Sequence, residues 1–113
     1  MECKPAGVIF LHGLGDTPAG WSDIKDRLGS IKANLRAKEI SWVFPAAPTI
    51  PISVNDGATM PGWFDLYDWP IKLDAPDDRE GTMRGVETVR KAIAALEAEG
   101  VPSERIVIGG FSP

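Results

Sequence analysis

The residues with the clearest chemical potential are Ile106-Val107-Ile108-Gly109-Gly110-Phe111-Ser112-Pro113. A β-branched apolar run ends in Gly-x-Ser, the first part of the pattern G-x-S-x-G. In that pattern a serine sits on a sharp turn between a strand and a helix. Gly110 and Ser112 fill the first two places; the closing glycine would be residue 114, beyond this sequence. A hydroxyl so placed attacks acyl carbons, but an isolated serine is a weak nucleophile and needs a base to take its proton. The sequence holds one histidine, His12, within His12-Gly13-Leu14-Gly15-Asp16. Gly13 and Gly15 let that backbone turn tightly and approach a substrate closely. A dinucleotide fingerprint would need a further glycine at position 18, where Pro18 stands, so a nucleotide site is rejected.

The elements that must position these residues can be read from hydrophobic spacing. Val8-Ile9-Phe10-Leu11 is a continuous apolar run that stops at His12-Gly13, the signature of a strand buried on both faces in a parallel sheet. Thr17-Pro18 fits an N-cap followed by proline at the first helical position. Trp21, Ile24, Leu28, Ile31 and Leu35 then recur at helical spacing, with a break expected near Gly29-Ser30. Ile40 to Phe44 reads as a second strand, stopped by Pro45. Residues 45–76 carry most of the prolines and no sustained period, so a long functional loop is expected there. Asp77 with Glu80 fits a capping box. It would open a helix whose buried stripe is Met83, Val86, Val89, Ile93 and Leu96, with Glu87 and Lys91 as a surface pair. Gly100 and Pro102 end it, and Ile106 to Gly110 is the third strand. Strand, helix, strand, loop, helix, strand predicts an α/β class fold with about three parallel strands, flanking helices and right-handed crossovers.

Three segments, in this order and spacing, resemble one family: His12-Gly13-Leu14-Gly15-Asp16, Met60-Pro61-Gly62-Trp63-Phe64-Asp65, and Gly109-Gly110-Phe111-Ser112. Together with Phe44-Pro45-Ala46-Ala47-Pro48 they are similar to the acyl-protein thioesterase, lysophospholipase and carboxylesterase branch of the α/β-hydrolases, from about Val8 to Ser112. The resemblance implies one partial domain over residues 1–113, the N-terminal half of an α/β-hydrolase fold. It implies Ser112 as the nucleophile, the Leu14 N–H as an oxyanion donor, and Trp63 with Met60 as substrate-binding residues. Substrates would be acylated proteins, lysophospholipids or small esters, cleaved through an acyl-enzyme without metal or cofactor. Trp63, Phe64, Tyr67 and Trp69 would either line an acyl groove or seal the sheet as core, and both readings stay open.

The same resemblance separates ancestry from turnover. The triad order of this fold is Ser, then Asp or Glu, then His. His12 and Asp65 precede Ser112, so neither is expected to serve it, and His12 is expected to be hydrogen-bonded within its own loop. The second oxyanion donor would be the N–H of residue 113, but Pro113 has none, and one such donor is worth about 2.7–4 kcal/mol. The terminal carboxylate would also lie beside a developing oxyanion. The chain is therefore expected to carry a vestigial nucleophile without turnover. With uncovered sheet faces it is also expected to be a marginal half-domain. The alternative is a non-catalytic module that binds an acyl chain or a protein partner.

Bulk properties limit the other classes. The 113 residues are 43% hydrophobic with a net charge of −4, which suits a globular chain and opposes nucleic-acid binding. Lys25, Arg27, Lys32, Arg36 and Lys38 read as a solvated helix face. The lone Cys3 excludes an internal disulfide and a cysteine-rich metal site. No signal peptide or membrane-spanning run is expected, only a transient membrane-surface contact at most, and the expected setting is cytoplasmic.

Overall fold

The structure, a computed structural model, describes the backbone of residues 6–31 and 40–112, and side chains for all of these except 28–31. Strands β1 (Ala6–Leu11), β2 (Ile40–Val43) and β5 (Ile106–Gly110) form a parallel sheet in the order β2-β1-β5. The central strand is the apolar run Val8 to Leu11, as its lack of alternation requires. Its register pairs Ile9 with Val43 on one side and with Ile108 on the other.

Helix α2 (Arg79–Ala98) lies across β1 on one face of the sheet. Ile9, Leu96 and Val101 are almost fully buried there, with Leu11, Val43, Ala92, Ile93 and Ile106 packed around them. Gly7 admits the helix: a Cβ at that position would lie 2.8 Å from Leu96 Cδ1. The helix ends in a Schellman arrangement. Gly100 takes φ +96°, the Gly100 N–H donates to Glu97 O at 3.0 Å, and the Val101 N–H donates to Leu96 O at 3.0 Å. Leu96 and Val101 make the apolar contact that accompanies this motif.

On the opposite face, Phe10 packs against Trp21 with ring centroids 5.0 Å apart, and Trp21 against Phe111 at 5.2 Å. Trp21 comes directly after a 3-10 turn at Pro18–Gly20, and helix α1 (Ile24–Ile31) begins three residues later. Thr17 is the N-cap and Pro18 the first residue of that turn, as the sequence suggests, but the turn is not the start of α1. Thr17 precedes the 3-10 turn and makes no side-chain cap bond, while α1 starts six residues beyond Pro18. Gly29 and Ser30 do not break α1, which continues through them to Ile31. Leu35, Lys32, Arg36 and Lys38 lie outside the described residues, as does Cys3.

The stretch expected as a structureless loop contains a hairpin. β3 (Thr49–Ile52) and β4 (Ala58–Pro61) pair antiparallel, Ile50 opposite Met60 and Ile52 opposite Ala58. The turn is a 3-10 segment at Ser53–Asn55, then Asp56 at φ 56° and Gly57 at φ 79°. Prolines 51 and 61 are tolerated because a two-stranded sheet consists of edges, where a missing N–H costs no ladder bond.

Two expectations for α2 also change. Its N-cap is Asp78 rather than Asp77; the Asp78 carboxylate accepts from the Gly81 N–H at 3.0 Å, so the position three residues on is glycine and no capping box forms. The apolar stripe is buried only at its C-terminal end: Leu96 is buried and Ile93 half-buried, whereas Met83 is 56% and Val86 42% exposed. The reason is sheet width. α2 sits on β1, and β5 leaves Val107 and Ile108 open on its two faces. The i,i+4 ion pair that forms among the described residues is Asp23–Arg27 at 3.0 Å; Glu87 and Lys91 do not close one.

Leu96→Ala should cost about 2–5 kcal/mol in urea unfolding, the usual range for an emptied core site. Asp78→Ala should cost about 1 kcal/mol at neutral pH, the typical worth of an N-cap. Hydrogen bonds from the Asp65 and Gly81 N–H groups hold the Asp78 carboxyl below the ordinary range. The stabilisation is then complete above the unfolded value of about 3.9 and is lost as pH falls through the lower folded value. The difference between wild type and Asp78→Ala should shrink over that acid window when melts are compared by pH.

Candidate active site

β1 and β5 run out side by side. Their last paired residues are Leu11 and Gly110, and the Phe111 N–H donates to Leu11 O at 3.2 Å. The segments leaving the two strands are therefore brought together at the carboxyl ends of adjacent parallel strands, where open α/β sheets bind ligands. Gly13 marks the closest approach. A Cβ there would lie 2.8 Å from Phe111 O, 3.2 Å from Ser112 Cβ and 3.8 Å from Ser112 Oγ. Any side chain at position 13 would push the serine away.

Ser112 is exposed and holds φ +62°. A left-handed backbone costs an L-residue roughly 1–2 kcal/mol, and such strain gathers at functional turns. The structure thus bends the chain at the residue where a G-x-S turn requires it.

The loop after β1 is shaped by its own backbone. Gly15 takes φ +77°, and its N–H donates to Pro61 O at 2.8 Å. The Asp16 N–H donates to Gly13 O at 3.1 Å. Between these, the Leu14 N–H has no partner among the described residues. The Leu14 side chain rests on the hairpin, where a Cβ at Gly62 would meet Leu14 Cδ1 at 3.1 Å and Ile52 Cδ1 at 3.3 Å. Leu14 is held by packing while its amide stays available.

His12 is 2% exposed and both ring nitrogens are engaged. Nε2 accepts from the Ala47 N–H at 3.1 Å, so Nδ1 carries the proton and donates to Gly13 O at 2.9 Å. The Trp63 indole N–H donates to His12 O at 2.8 Å, and the two rings lie 5.3 Å apart. His12 is a strut of the loop, and its lone pair is taken by a backbone donor.

Two cavities meet at Ser112. One, of about 470 Å³, is lined by Leu14, Val54, Asn55, Leu66, Trp69 and Ser112. The other, of about 490 Å³, is more apolar and lies on the α2 side, among Trp63, Phe64, Val86, Val89, Ile93 and Ser112. Trp63 is 7% exposed and contacts the second cavity, whereas Trp69 is 65% exposed at the rim of the first. The aromatic group of the long segment therefore divides: Trp63 is buried, Phe64 is half-buried, and Tyr67 and Trp69 face solvent. Met60 is half-buried behind Gly15, its Sδ 3.8 Å from where a Cβ would be, and 3.7 Å from Asn55 Nδ2. Pro113 lies outside the described residues. Val54, Asn55 and Leu66 were missed by sequence reasoning. The signal that could have found the first two is Asn55-Asp56-Gly57, a hairpin-turn tripeptide between two short apolar stretches.

The profile of the phospholipase/carboxylesterase family matches residues 3–113. The chain belongs to this family. Among its relatives, acyl-protein thioesterase 1 of Schizosaccharomyces pombe is 43% identical over 107 residues, which cover 95% of this chain and 44% of that protein. The crystal structure of Arabidopsis thaliana SOBER1 matches with a TM-score of 0.86 at 33% identity, over 96% of this chain and 50% of the other. That of Zea mays acyl-protein thioesterase 2 matches with a TM-score of 0.74 at 31% identity, over 98% and 42%. The chain has part of an α/β-hydrolase fold and spans half or less of the length of these relatives. Among its described residues no helix is long and apolar enough to cross a membrane.

Trp63→Phe keeps an aromatic side chain but replaces the indole by a smaller phenyl and removes the donor to His12 O. Leaving that buried carbonyl unpaired should cost about 1–3 kcal/mol. Thermal or urea melts of the variant should show it, and the loss should exceed that of Trp69→Phe, whose ring is mostly in solvent.

Proposed function

We propose that these residues are the nucleophile and acyl-binding portion of a serine hydrolase that cleaves acyl thioesters or esters. The observation that carries the reading is the meeting of Ser112, bent into a left-handed turn, with the Gly13 corner that presents an unpaired Leu14 N–H. A substrate carbonyl within reach of both would have its oxygen on the Leu14 amide and its carbon facing the Ser112 Oγ. Attack would form the C–O bond of an acyl-serine, expel the thiolate or alkoxide, and pass the serine proton to a base. The acyl part would lie along Leu14, Val54, Leu66 and Trp69, because Leu14 supplies both the amide and a wall of that cavity. Trp63 and Met60 back the loops that frame the groove.

The base must come from outside these 113 residues. Their one histidine has both nitrogens occupied, and Nε2 in particular accepts from a backbone amide. The chain on its own is thus an acyl-binding unit with a positioned but unactivated hydroxyl. Acylated proteins are the favoured substrate class, in line with the names of the relatives. A cytoplasmic setting fits a chain with a single cysteine.

Turnover of a p-nitrophenyl acyl ester by the 113-residue chain should not exceed that of Ser112→Ala. The same chain should still bind a fluorescent long-chain alkyl probe, and Leu14→Asp should abolish that binding. Rapid ester hydrolysis that Ser112→Ala removes would refute the missing base, and no probe binding would refute the groove.

A further inference from the structure

Away from the serine, the densest set of short polar contacts joins the hairpin turn to the start of α2. Asp65 Oδ1 accepts from the Ser53 N–H and from the Leu66 N–H, each at 2.8 Å, and Oδ2 accepts from Ser53 Oγ at 2.5 Å. The Asp65 N–H in turn donates to Asp78 Oδ2 at 2.7 Å, and the other oxygen of Asp78 caps the Gly81 N–H at 3.0 Å. Val54, the next residue of the turn, donates its N–H to Leu66 O at 2.8 Å. The first turn of α2 presses on the same segment, since a Cβ at Gly81 would lie 2.8 Å from Phe64 Cα. Two carboxylates in series thus lead from a helix N-terminus to the tip of a hairpin. That tip supplies Val54 and Asn55 to the cavity containing Ser112.

We infer that Asp65 is a positioning residue: through Ser53 it clasps the hairpin tip and sets the distance of the Val54–Asn55 wall from the reacting serine. This rests on the groove assignment above. Three donors converge on one side chain, so an acceptor-only group is required. A carboxylate has two acceptor oxygens where an asparagine has one and brings two unwanted donors. The charge strengthens each bond.

The clasp has an acid limb. Hydrogen bonds from the Ser53 hydroxyl, the Ser53 amide and then the Leu66 amide outweigh desolvation and hold the Asp65 carboxyl below the ordinary range. The titratable groups that interact with Asp65 are Tyr67 on its own segment and Asp78 at the cap of α2; beyond them, Glu80 on α2 acts on Tyr67 and Arg84 on Asp78. Asp65 and Asp78 repel one another, while Arg84 offsets part of the negative charge at Asp78. The bonds are complete above the unfolded value of about 3.9 and are lost as pH falls through the lower folded value.

The test uses the 113-residue chain, dodecylphosphocholine below its micellar concentration as an alkyl probe whose headgroup carries no proton in this range, and the variants Asp65→Asn and Ser53→Ala. Both variants should weaken probe binding by between roughly threefold and tenfold, the range that the net worth of a typical hydrogen bond represents. Wild-type affinity should fall on acidification, and Asp65→Asn should flatten that limb. By NMR, the Ser53 amide proton should follow a carboxylate titration in wild type and not in Asp65→Asn, while the Gly81 amide titrates in both. Unchanged affinity with the same acid limb in Asp65→Asn overturns the inference, as does a Ser53 amide that still titrates there. Absence of probe binding in wild type overturns the groove assignment instead, and the amide titration then decides the clasp by itself.

Discussion

The site depends on one steric constraint, the approach of two backbone corners closer than a Cβ would permit. β1 and β5 are adjacent and parallel, and their register runs out at Leu11 and Gly110. The loop leaving β1 and the turn leaving β5 are forced into the same small volume. Only a residue without a side chain at position 13 lets Phe111 O and Ser112 come as near as they do. The hydroxyl and the Leu14 amide, which has no partner among the described residues, belong to residues that line one cavity because the sheet is parallel and because glycine stands at the contact. Helix α2 serves the same end from below, since Gly7 lets it settle on β1 and fix the central strand.

Polar struts then hold the corner in shape. His12 spends both nitrogens and its carbonyl on Ala47, Gly13 and Trp63. Asp65 and Asp78 collect five donors between them from the hairpin, the connecting segment and the helix start. The imidazole and both carboxylates are thus engaged in hydrogen bonds that hold loops and helix start together. In this chain the residue types most often associated with acid–base chemistry are spent on architecture, and the reactive geometry is made mostly of backbone.

The sequence made the sheet legible because a fully buried strand writes its burial into consecutive residues. Val8 to Leu11, Ile40 to Val43 and Ile106 to Gly110 are each written as such runs, although of these residues only Ile9 is fully buried and Val107 and Ile108 stand exposed. The end of α2 was legible as well, since Gly100 is demanded by a positive φ. The hairpin was not. Its strands are four residues each, contain prolines and bury one face in part, so neither period nor propensity marks them. The open half of the α2 stripe was illegible for a different reason: spacing tells which residues share a face, not whether anything lies opposite. At the site, Ser112, Leu14 and Trp63 could be singled out from motif order. Leu66 could not, because it reaches the cavity only through the fold, and Val54 and Asn55 are marked only indirectly, by the turn signal Asn55-Asp56-Gly57. The shift from Asp77 to Asp78 as helix cap is a single-residue difference. It matters because it puts the cap within reach of the Asp65 amide.

The bend at Ser112 sets chemistry and folding at odds. Glycine would adopt the same turn without penalty, so the side chain that makes the turn worth having is also what makes it unfavourable. Selection of variants for thermal endurance alone would then favour Ser112→Gly, yielding a sturdier chain with nothing left to acylate.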